Sequence, residues 1–431
     1  MKRLVTLAAC LAFAVAVPGQ AQDSGTQAAA ASEESHLSAR LADVVAVMNG
    51  ESDPAEVFSE GFLASVSPAQ LAAFNANIAT QFGEALAVEN VVPTGPHSAT
   101  FDLRLERAIG KGIIAIDTAA PHRISTLRFT AFEPMRAEAD AIAKDLAALP
   151  GKTAAWFGPL DGEAVFAHGD DYEPFAIGST FKLYVLAAVS RAVKEGRLLW
   201  DRVVTLDTKS LPSGIMQNWP DGAPVTVHTL ATLMISISDN TATDLLIDAV
   251  GRDAVEREMQ LSGHSDPAAS FPILKTKEAF ALKASDRGAE YAAADVSRRR
   301  SILEGMDVAA MSESDFAGLF ADGNPVLIDR IEWFTSMADQ RALMRLLATD
   351  ADATARGIMA VNTALGASEV AAWDYVGFKG GSEPGVGNLS WLLRDNQGEW
   401  HMLAVSWNDP DAEIDTPALL MIAQRILTLA D

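Results

Sequence analysis

The strongest constraint on this chain is where strand-forming segments fall in its C-terminal two-thirds. Thr153 to Leu160 and Glu163 to Phe166 read as a hairpin about Asp161-Gly162. Gly387 to Leu393 and Met402 to Trp407 read as two more strands, joined through Asp395-Asn396-Gln397-Gly398. Helical sequence lies between the pairs, from about Ser179 to about Leu347. Strands so far apart bury their apolar faces by joining one sheet, so the first and last strands are expected to pair in its middle. Pro134 is read as opening a helix that runs to about Leu149, where Pro150-Gly151 stops it. Thr416 followed by Pro417 is read as opening the last helix. The expectation is an α+β domain over 134–431, an antiparallel sheet with a helical subdomain.

A smaller unit precedes it. Leu37, Leu41, Val44, Val45 and Met48 share a helical face, which Asn49-Gly50 ends. A second helical stretch is expected from about Pro54 to Phe82. The period then changes: Phe101, Leu103 and Leu105 alternate with Asp102, Arg104 and Glu106. Ile113 to Ile116 and Leu127 to Ala131 read as further strands. Residues 36–132 are therefore expected to form a small α+β domain.

The first residues set the expected address. Lys2 and Arg3 precede an apolar run from Leu4 to Val17, and Pro18-Gly19-Gln20-Ala21 follows. That pattern describes a secretory signal over 1–21, too short to span a bilayer and cleaved near Ala21. A periplasmic or secreted protein is expected, with a flexible Ala-rich leader over 22–35. Cys10, the single cysteine, lies inside the signal. Leu7-Ala8-Ala9-Cys10 has the outline of a lipoprotein cleavage box, but the apolar run continues past it. Without Cys10 the mature chain has no thiol, which excludes disulfides, cysteine-held zinc and cysteine nucleophiles. Lys and Arg total 33 against 57 Asp and Glu, a formal charge of −24 that becomes −26 once Lys2 and Arg3 leave. Such a field repels phosphate backbones and anionic lipid, so no nucleic-acid or membrane partner is expected for the mature chain.

Three short motifs carry the candidate chemistry. In Gly178-Ser179-Thr180-Phe181-Lys182, a serine and a lysine three apart share a helical face. A serine at neutral pH needs a base beside it, and a lysine serves only if burial or a neighbouring cation lowers its pKa. Leu183 to Val189 is apolar all round, which puts Lys182 near a core. Ser238-Asp239-Asn240 ends the apolar stretch Leu233 to Ile237 and can present a hydroxyl and an amide to a cleft. Lys379-Gly380-Gly381-Ser382 precedes a strand, and its paired glycines allow close approach to the strand's edge. Each alone fits a structural role.

Taken in order, with 59 residues from Ser179 to Ser238, they resemble the signature of the active-site serine enzymes that recognise penicillin. The resemblance covers about 134–431 and is to the class A β-lactamase-like serine hydrolases. The unit ahead of it is similar to the two-domain type of clavulanic acid biosynthesis, whose N-terminal domain is cone-shaped and NTF2-like. The resemblance implies that Ser179 is the acylated nucleophile, Lys182 its general base and Ser238 a proton relay. It implies that Asn240 holds a substrate amide, that Lys379 attracts a substrate carboxylate and lowers the pKa of Lys182, and that the backbone N–H groups of Ser179 and Ser382 form an oxyanion hole. Gly380, Gly381 and Ser382 would line the substrate strand, and Trp219 is a candidate stacking aromatic at the rim. No cofactor or metal is implied, and the partner is a small β-lactam, ester or peptide-like amide.

Two departures bear on the reaction. No Glu-x-x-Leu-Asn stretch supplies the carboxylate that class A enzymes use for deacylation, and the 141 residues from Ser238 to Lys379 exceed the family's spacing. The region about 271–334 is therefore rebuilt, with Glu278, Asp286, Glu290 and Glu304 inside it. Gly380 stands where a hydroxyl residue contacts substrate carboxylates, so ester cleavage, including that of acetylated cephalosporins, ranks beside lactam opening. A binding or sensing protein that stays acylated is the alternative, and a small apolar ligand in the first domain is a third reading. A Ser-His-Asp hydrolase is disfavoured because no Gly-x-Ser-x-Gly occurs. The seven histidines show no His-Glu-x-x-His spacing, and His228 reads as a packed or surface residue. Gly151-Lys152-Thr153 reads as a turn, and Ser297-Arg298-Arg299-Arg300 as a solvated helix face.

Overall fold

The computed structural model describes residues 24–135, 138–308, 318–319 and 321–430, with only the backbone for 24–35. The expected signal and Cys10 lie outside the described residues. The chain divides into two units, Met1–Glu133 and Pro134–Asp431.

In the first unit, α1 (Ser24–Met48) begins inside the stretch read as a leader. The expected second helix is three: α2 (Pro54–Val57), α3 (Glu60–Ser65) and α4 (Pro68–Phe82). Ser59 and Ser67 cause the breaks, each turning its hydroxyl onto the N–H groups that start a new helix. Ser67 and Gln70 complete a capping box, and Leu71, Asn75, Ile78 and Phe82 form the buried face of α4. Four strands follow: β1 (Ala85–Gly95), β2 (Ser98–Leu105), β3 (Ala108–Ile116) and β4 (Ile124–Pro134), in that order across one sheet. Phe101, Leu103 and Leu105 are buried as the alternation requires. The largely exposed edge strand β1 was not anticipated. An open cavity of about 590 Å³ in this unit is lined largely by polar groups, among them Glu60, Asp117, Arg123 and Ser125. It is not the apolar pocket a hydrophobic ligand needs.

In the second unit Pro134 ends a strand rather than opening a helix; α5 spans Ala139–Ala148. Next come β5 (Lys152–Pro159), β6 (Phe166–His168) and β7 (Phe175–Ala176), then a 3₁₀ turn (Gly178–Phe181) that runs into α6 (Lys182–Lys194). After β8 (Val203–Thr205) and β9 (Pro224–Thr226) the helices are α7 (Val227–Ser236), α8 (Asn240–Val250), α9 (Arg252–Leu261), α10 (Thr276–Lys283), α11 (Arg287–Ala293) and α12 (Val296–Glu304). Then follow β10 (Phe334–Thr335), α13 (Met337–Thr349), α14 (Ala353–Met359) and α15 (Ala367–Val370). The chain closes with β11 (Tyr375–Glu383), β12 (Val386–Arg394), β13 (Trp400–Asn408) and α16 (Thr416–Leu427). Asp415, one residue earlier than expected, caps α16.

The main sheet runs β11-β12-β13-β5-β6, and β13 pairs antiparallel with β5, so first and last strands meet in its middle. Alternate residues serve opposite faces. Trp391, Leu393, Leu403 and Val405 pack with Ile142, Leu146, Leu419 and Ile426 of α5 and α16. Leu392, Met402 and Ala404 face the helical subdomain. The edge strand β11 is left with one free side.

The candidate active site

Three segments meet at that free edge. The first is the 3₁₀ turn. Every residue from 175 to 190 is buried except Ser179, which is half-buried. The local sequence explains this: an apolar helix sinks into the core, and the turn at its start brings one hydroxyl to the surface of the cleft. Lys182 opens α6 with its side chain fully buried.

The second segment joins α7 to α8. Asp239 caps α8 through Ala242 N–H and takes the N–H groups of Ile215 and Met216 on its other oxygen, at 2.7 and 2.9 Å. Ser238, before it, sits at φ +59°, a left-handed conformation costly for a residue with a Cβ. Lys182 Nζ donates to Ser238 O at 2.8 Å, Ser238 Oγ at 3.0 Å and Asn240 Oδ1 at 2.7 Å. Asn240 Nδ2 donates to Leu211 O at 3.2 Å, so both ends of this amide already have partners.

The third is β11 itself. Lys379-Gly380-Gly381-Ser382 lies within a strand, not before one. Lys379 Nζ donates to Ser238 Oγ at 3.1 Å and to Gly380 O. Ser238 Oγ thus receives N–H bonds from two lysines, which leaves its own proton free to be donated. A Cβ at Gly381 would overlap Ile177 O and lie 2.6 Å from Ser179 N, so only glycine lets the strand run this close to the turn. The pairing closes at Glu383–Val386, and antiparallel alternation turns the Ser382 N–H to the free edge. A Cβ on Gly178 would stand 3.2 Å from Ser382 N, so that N–H lies against the nucleophile turn.

Electrostatics match the geometry. Burial first, and Lys379 second, hold the Lys182 amine well below the ordinary lysine range, against the pull of Asp244 and Asp239. Burial alone brings the Lys379 amine down to about 7. As an ammonium Lys182 fills three acceptors; as an amine it satisfies two and has a lone pair.

The structure brings together Ser179, Lys182, Ser238, Asn240, Lys379, Gly381 and Ser382. Trp219 stands apart, half-buried against the helical core with no hydrogen bond to the cluster. At Gly380 a Cβ would lie 2.9 Å from Phe378 Cζ and 3.2 Å from a Leu389 methyl, so bulky neighbours occupy the space a hydroxyl residue would need. Glu278 is bonded to Arg252 and to the N–H of Lys275. Glu290 pairs with Arg287 and Arg298 on the surface. Among the described residues no hydrogen bond links Glu278, Asp286, Glu290 or Glu304 to the cluster. The arginine run is not a solvated face throughout: Arg299 donates to Ala269 O and Phe271 O, and Arg300 pairs with Glu256. Sequence reasoning passed over Asp244, a buried carboxylate that accepts from Ser210 Oγ at 2.7 Å, Thr276 N at 2.7 Å and Lys277 N at 3.1 Å. Its position four residues after Asn240, on the same helical face, was the available signal.

Two other features do not compete. A cavity of about 730 Å³ is lined by Lys152, Tyr172, His264, Ser265, Phe334 and Asp339; there Ser265 Oγ donates to Asp339 Oδ2 at 3.1 Å, and both ring nitrogens of His264 are taken by backbone groups, Phe334 O at 2.9 Å and the Asp266 N–H at 3.2 Å. Asp395, Glu399 and His401 gather at the β12–β13 turn, where Asp395 is occupied by two backbone N–H groups and by His401 Nε2 at 3.1 Å.

A five-stranded antiparallel sheet between helical layers, with a Ser-x-x-Lys turn against its edge strand, has the serine β-lactamase-like fold shared by β-lactamases and penicillin-binding proteins. Residues 137–313 match the β-lactamase enzyme family, a span that includes Ser179, Lys182 and Ser238 and stops short of Lys379. The crystal structure of a β-lactamase from Sphaerobacter thermophilus is 23% identical with a TM-score of 0.50, covering 68% of this chain and 95% of its own. PBP-A is 19% identical (TM-score 0.47, covering 68% and 94%), and a β-lactamase from Chitinophaga pinensis is also 19% identical (0.46, covering 68% and 97%). No curated protein matches the chain.

Proposed function

We propose that the protein is an exported serine hydrolase that is acylated on Ser179 by a small ester or β-lactam and then releases the acyl group to water. The observation that carries this reading is the half-exposed Ser179 in an otherwise buried run, one turn from a buried lysine whose amine is held toward its neutral form. Neutral Lys182 takes the Ser179 Oγ proton as that oxygen bonds to the carbonyl carbon. The negative charge moves to the carbonyl oxygen, between the N–H groups of Ser179 and Ser382. Lys182 returns the proton through Ser238 Oγ to the departing oxygen or nitrogen as its bond to carbon breaks. Lys379 donates to Ser238 Oγ throughout and attracts an anionic substrate when protonated.

The test follows intact mass against time with a chromogenic cephalosporin bearing an acetoxy group, for wild type beside Ser179→Ala. A transient adduct on wild type alone, decaying as product accumulates, is the expected outcome and reports which bond breaks. Folded wild type that gives neither adduct nor product would overturn the reading. A stable adduct without turnover would establish the second reading, a sensor that stays acylated. Among the described residues no carboxylate hydrogen-bonds to the side chains of Ser179, Lys182, Ser238 or Lys379, which favours that reading enough to keep it in the design.

A further inference from the structure

Behind the cluster lies a second group of charges that acyl transfer does not use. Lys283, at the end of α10, has a fully buried side chain whose Nζ donates to Glu332 Oε1 at 2.9 Å and to Glu383. The Glu332 and Glu383 side chains are themselves only 1% and 7% exposed. Glu332 Oε2 accepts the Gly178 N–H at 3.2 Å and the Trp333 N–H at 3.3 Å. Trp333 in turn stacks on Phe181 at 3.8 Å between ring centroids. Gly178 immediately precedes Ser179, and Glu383 immediately follows Ser382. One carboxylate therefore holds the backbone beside the first oxyanion donor, the other belongs to the residue beside the second, and a single ammonium joins them.

We propose that Lys283, Glu332 and Glu383 form a buried clamp that sets the separation and direction of the Ser179 and Ser382 N–H groups. They are positioning residues, and the proposal rests on the acyl-serine reading. A triad that merely stabilised the fold would not need to bond the peptide next to the nucleophile. The residues divide the work unequally. Lys283 stays charged because two carboxylates outweigh its burial, and burial together with Glu332 pushes the Glu383 carboxyl well above the usual carboxylate range. Glu332 Oε2 is the acceptor for the Gly178 N–H.

The experiment compares Glu332→Gln, Glu332→Asp, Glu383→Gln and Lys283→Met with wild type. It reads the acylation rate constant with a chromogenic ester and the affinity for a boronic acid, which forms a tetrahedral adduct on the serine. It also reads the inhibition constant of the alcohol product, which brings no carbonyl or carboxylate oxygen to the oxyanion hole. Losing one oxyanion donor costs about 10²–10³ in rate, so displacing one in Glu332→Gln is expected to lower acylation by about 30-fold or more. Boronate affinity should fall in parallel while product inhibition stays within about twofold. Glu383→Gln keeps an oxygen to accept from Lys283 Nζ and is expected to cost less than Glu332→Gln. Lys283→Met should behave like Glu332→Gln. Folded Glu332→Gln with wild-type acylation and boronate affinity would overturn the clamp. If Glu332→Gln does not fold, Glu332→Asp decides: it keeps the charge but falls one methylene short, and a wild-type rate there overturns the proposal. Wild type that takes neither probe on Ser179 removes the acyl-serine reading and the clamp's role with it, whereas equal reaction of wild type and variants removes the clamp alone.

Discussion

Lys379 allows the construction of the site to be measured as a folding energy. Its amine titrates near 7 in the folded protein against an ordinary 10.5, because burial disfavours the charged form. Between those values the unfolded chain binds more protons than the folded one, so stability rises with pH. The cost is fully present below about 7 and has vanished above about 10.5. At roughly 1.4 kcal/mol per unit, it is on the order of 5 kcal/mol at the acid end of that window. Lys379→Met removes the charge but takes away the donor to Gly380 O and one of the two donors to Ser238 Oγ, a loss of roughly 1 to 2 kcal/mol. The variant is therefore expected to be more stable than wild type by about 3 kcal/mol at pH 7, level with it at about pH 9, and less stable beyond. All eight tryptophans lie in the second unit, so tryptophan fluorescence in urea follows that unit alone. Measuring both proteins from about pH 6.5 to 9.5 cancels most contributions from the groups they share. A stability difference that stays flat across that range refutes the argument, because a lysine titrating normally gives no such slope.

The same titration has a kinetic face: kcat/KM for a carboxylate-bearing lactam should fall as pH rises through about 7, through KM, while an uncharged ester shows no such limb. Parallel pH profiles for the two substrates would contradict a substrate-facing charge on Lys379. Gly381→Ala forces a methyl into Ile177 O and toward Ser179 N, and its acylation rate is expected to drop by about 10² or more, read by adduct formation. Asp244→Asn puts an amide donor where three donors already point, and should lower the unfolding free energy of this unit by about 2 kcal/mol in the same urea assay.

What the sequence made legible, and what it did not, follows from the range of the interactions. The pairing of β13 with β5 could be reasoned out because each terminal strand pair buries its apolar face by joining a wider sheet. Ser179, Lys182, Ser238 and Lys379 could be singled out only because their three motifs, in order, resemble a family's signature; each motif alone fitted a structural role. The split of 54–82 into three helices could also have been read, since Ser59 and Ser67 are ordinary capping residues. The Lys283–Glu332–Glu383 group could not be assembled in that way. Its members are 49 and 100 residues apart from Lys283, and their meeting depends on how the rebuilt region lies against β11. Only Glu332 left a trace, as one charge inside Ile331-Glu332-Trp333-Phe334. Pro134 misled for the opposite reason: proline favours a first helical turn, but it ends a sheet strand equally well.

In the proposed reaction, the absence among the described residues of a carboxylate bonded to the Ser179–Lys182–Ser238–Lys379 side chains decides which substrates turn over. Asp239 and Asp244 are fully engaged in holding loops, and among the described residues no carboxylate hydrogen-bonds to the side chains of Ser179, Lys182, Ser238 or Lys379. Lys182 is then the base available to activate a water, and its depressed pKa returns it to the neutral form after each acylation. By reversibility, the water must approach along the path the leaving group took. An ester's alcohol diffuses away and clears that path. A lactam's amine remains tied to the acyl group and keeps it blocked. With general-base assistance worth about 10²–10⁴, the lactam-derived acyl-enzyme is expected to outlive the ester-derived one by about 10² or more. Intact-mass decay of the two adducts at one pH measures the ratio, and raising the pH should shorten the ester adduct while Lys182 is still titrating. Equal lifetimes would mean that water reaches the acyl carbon from another face, activated by a group other than Lys182.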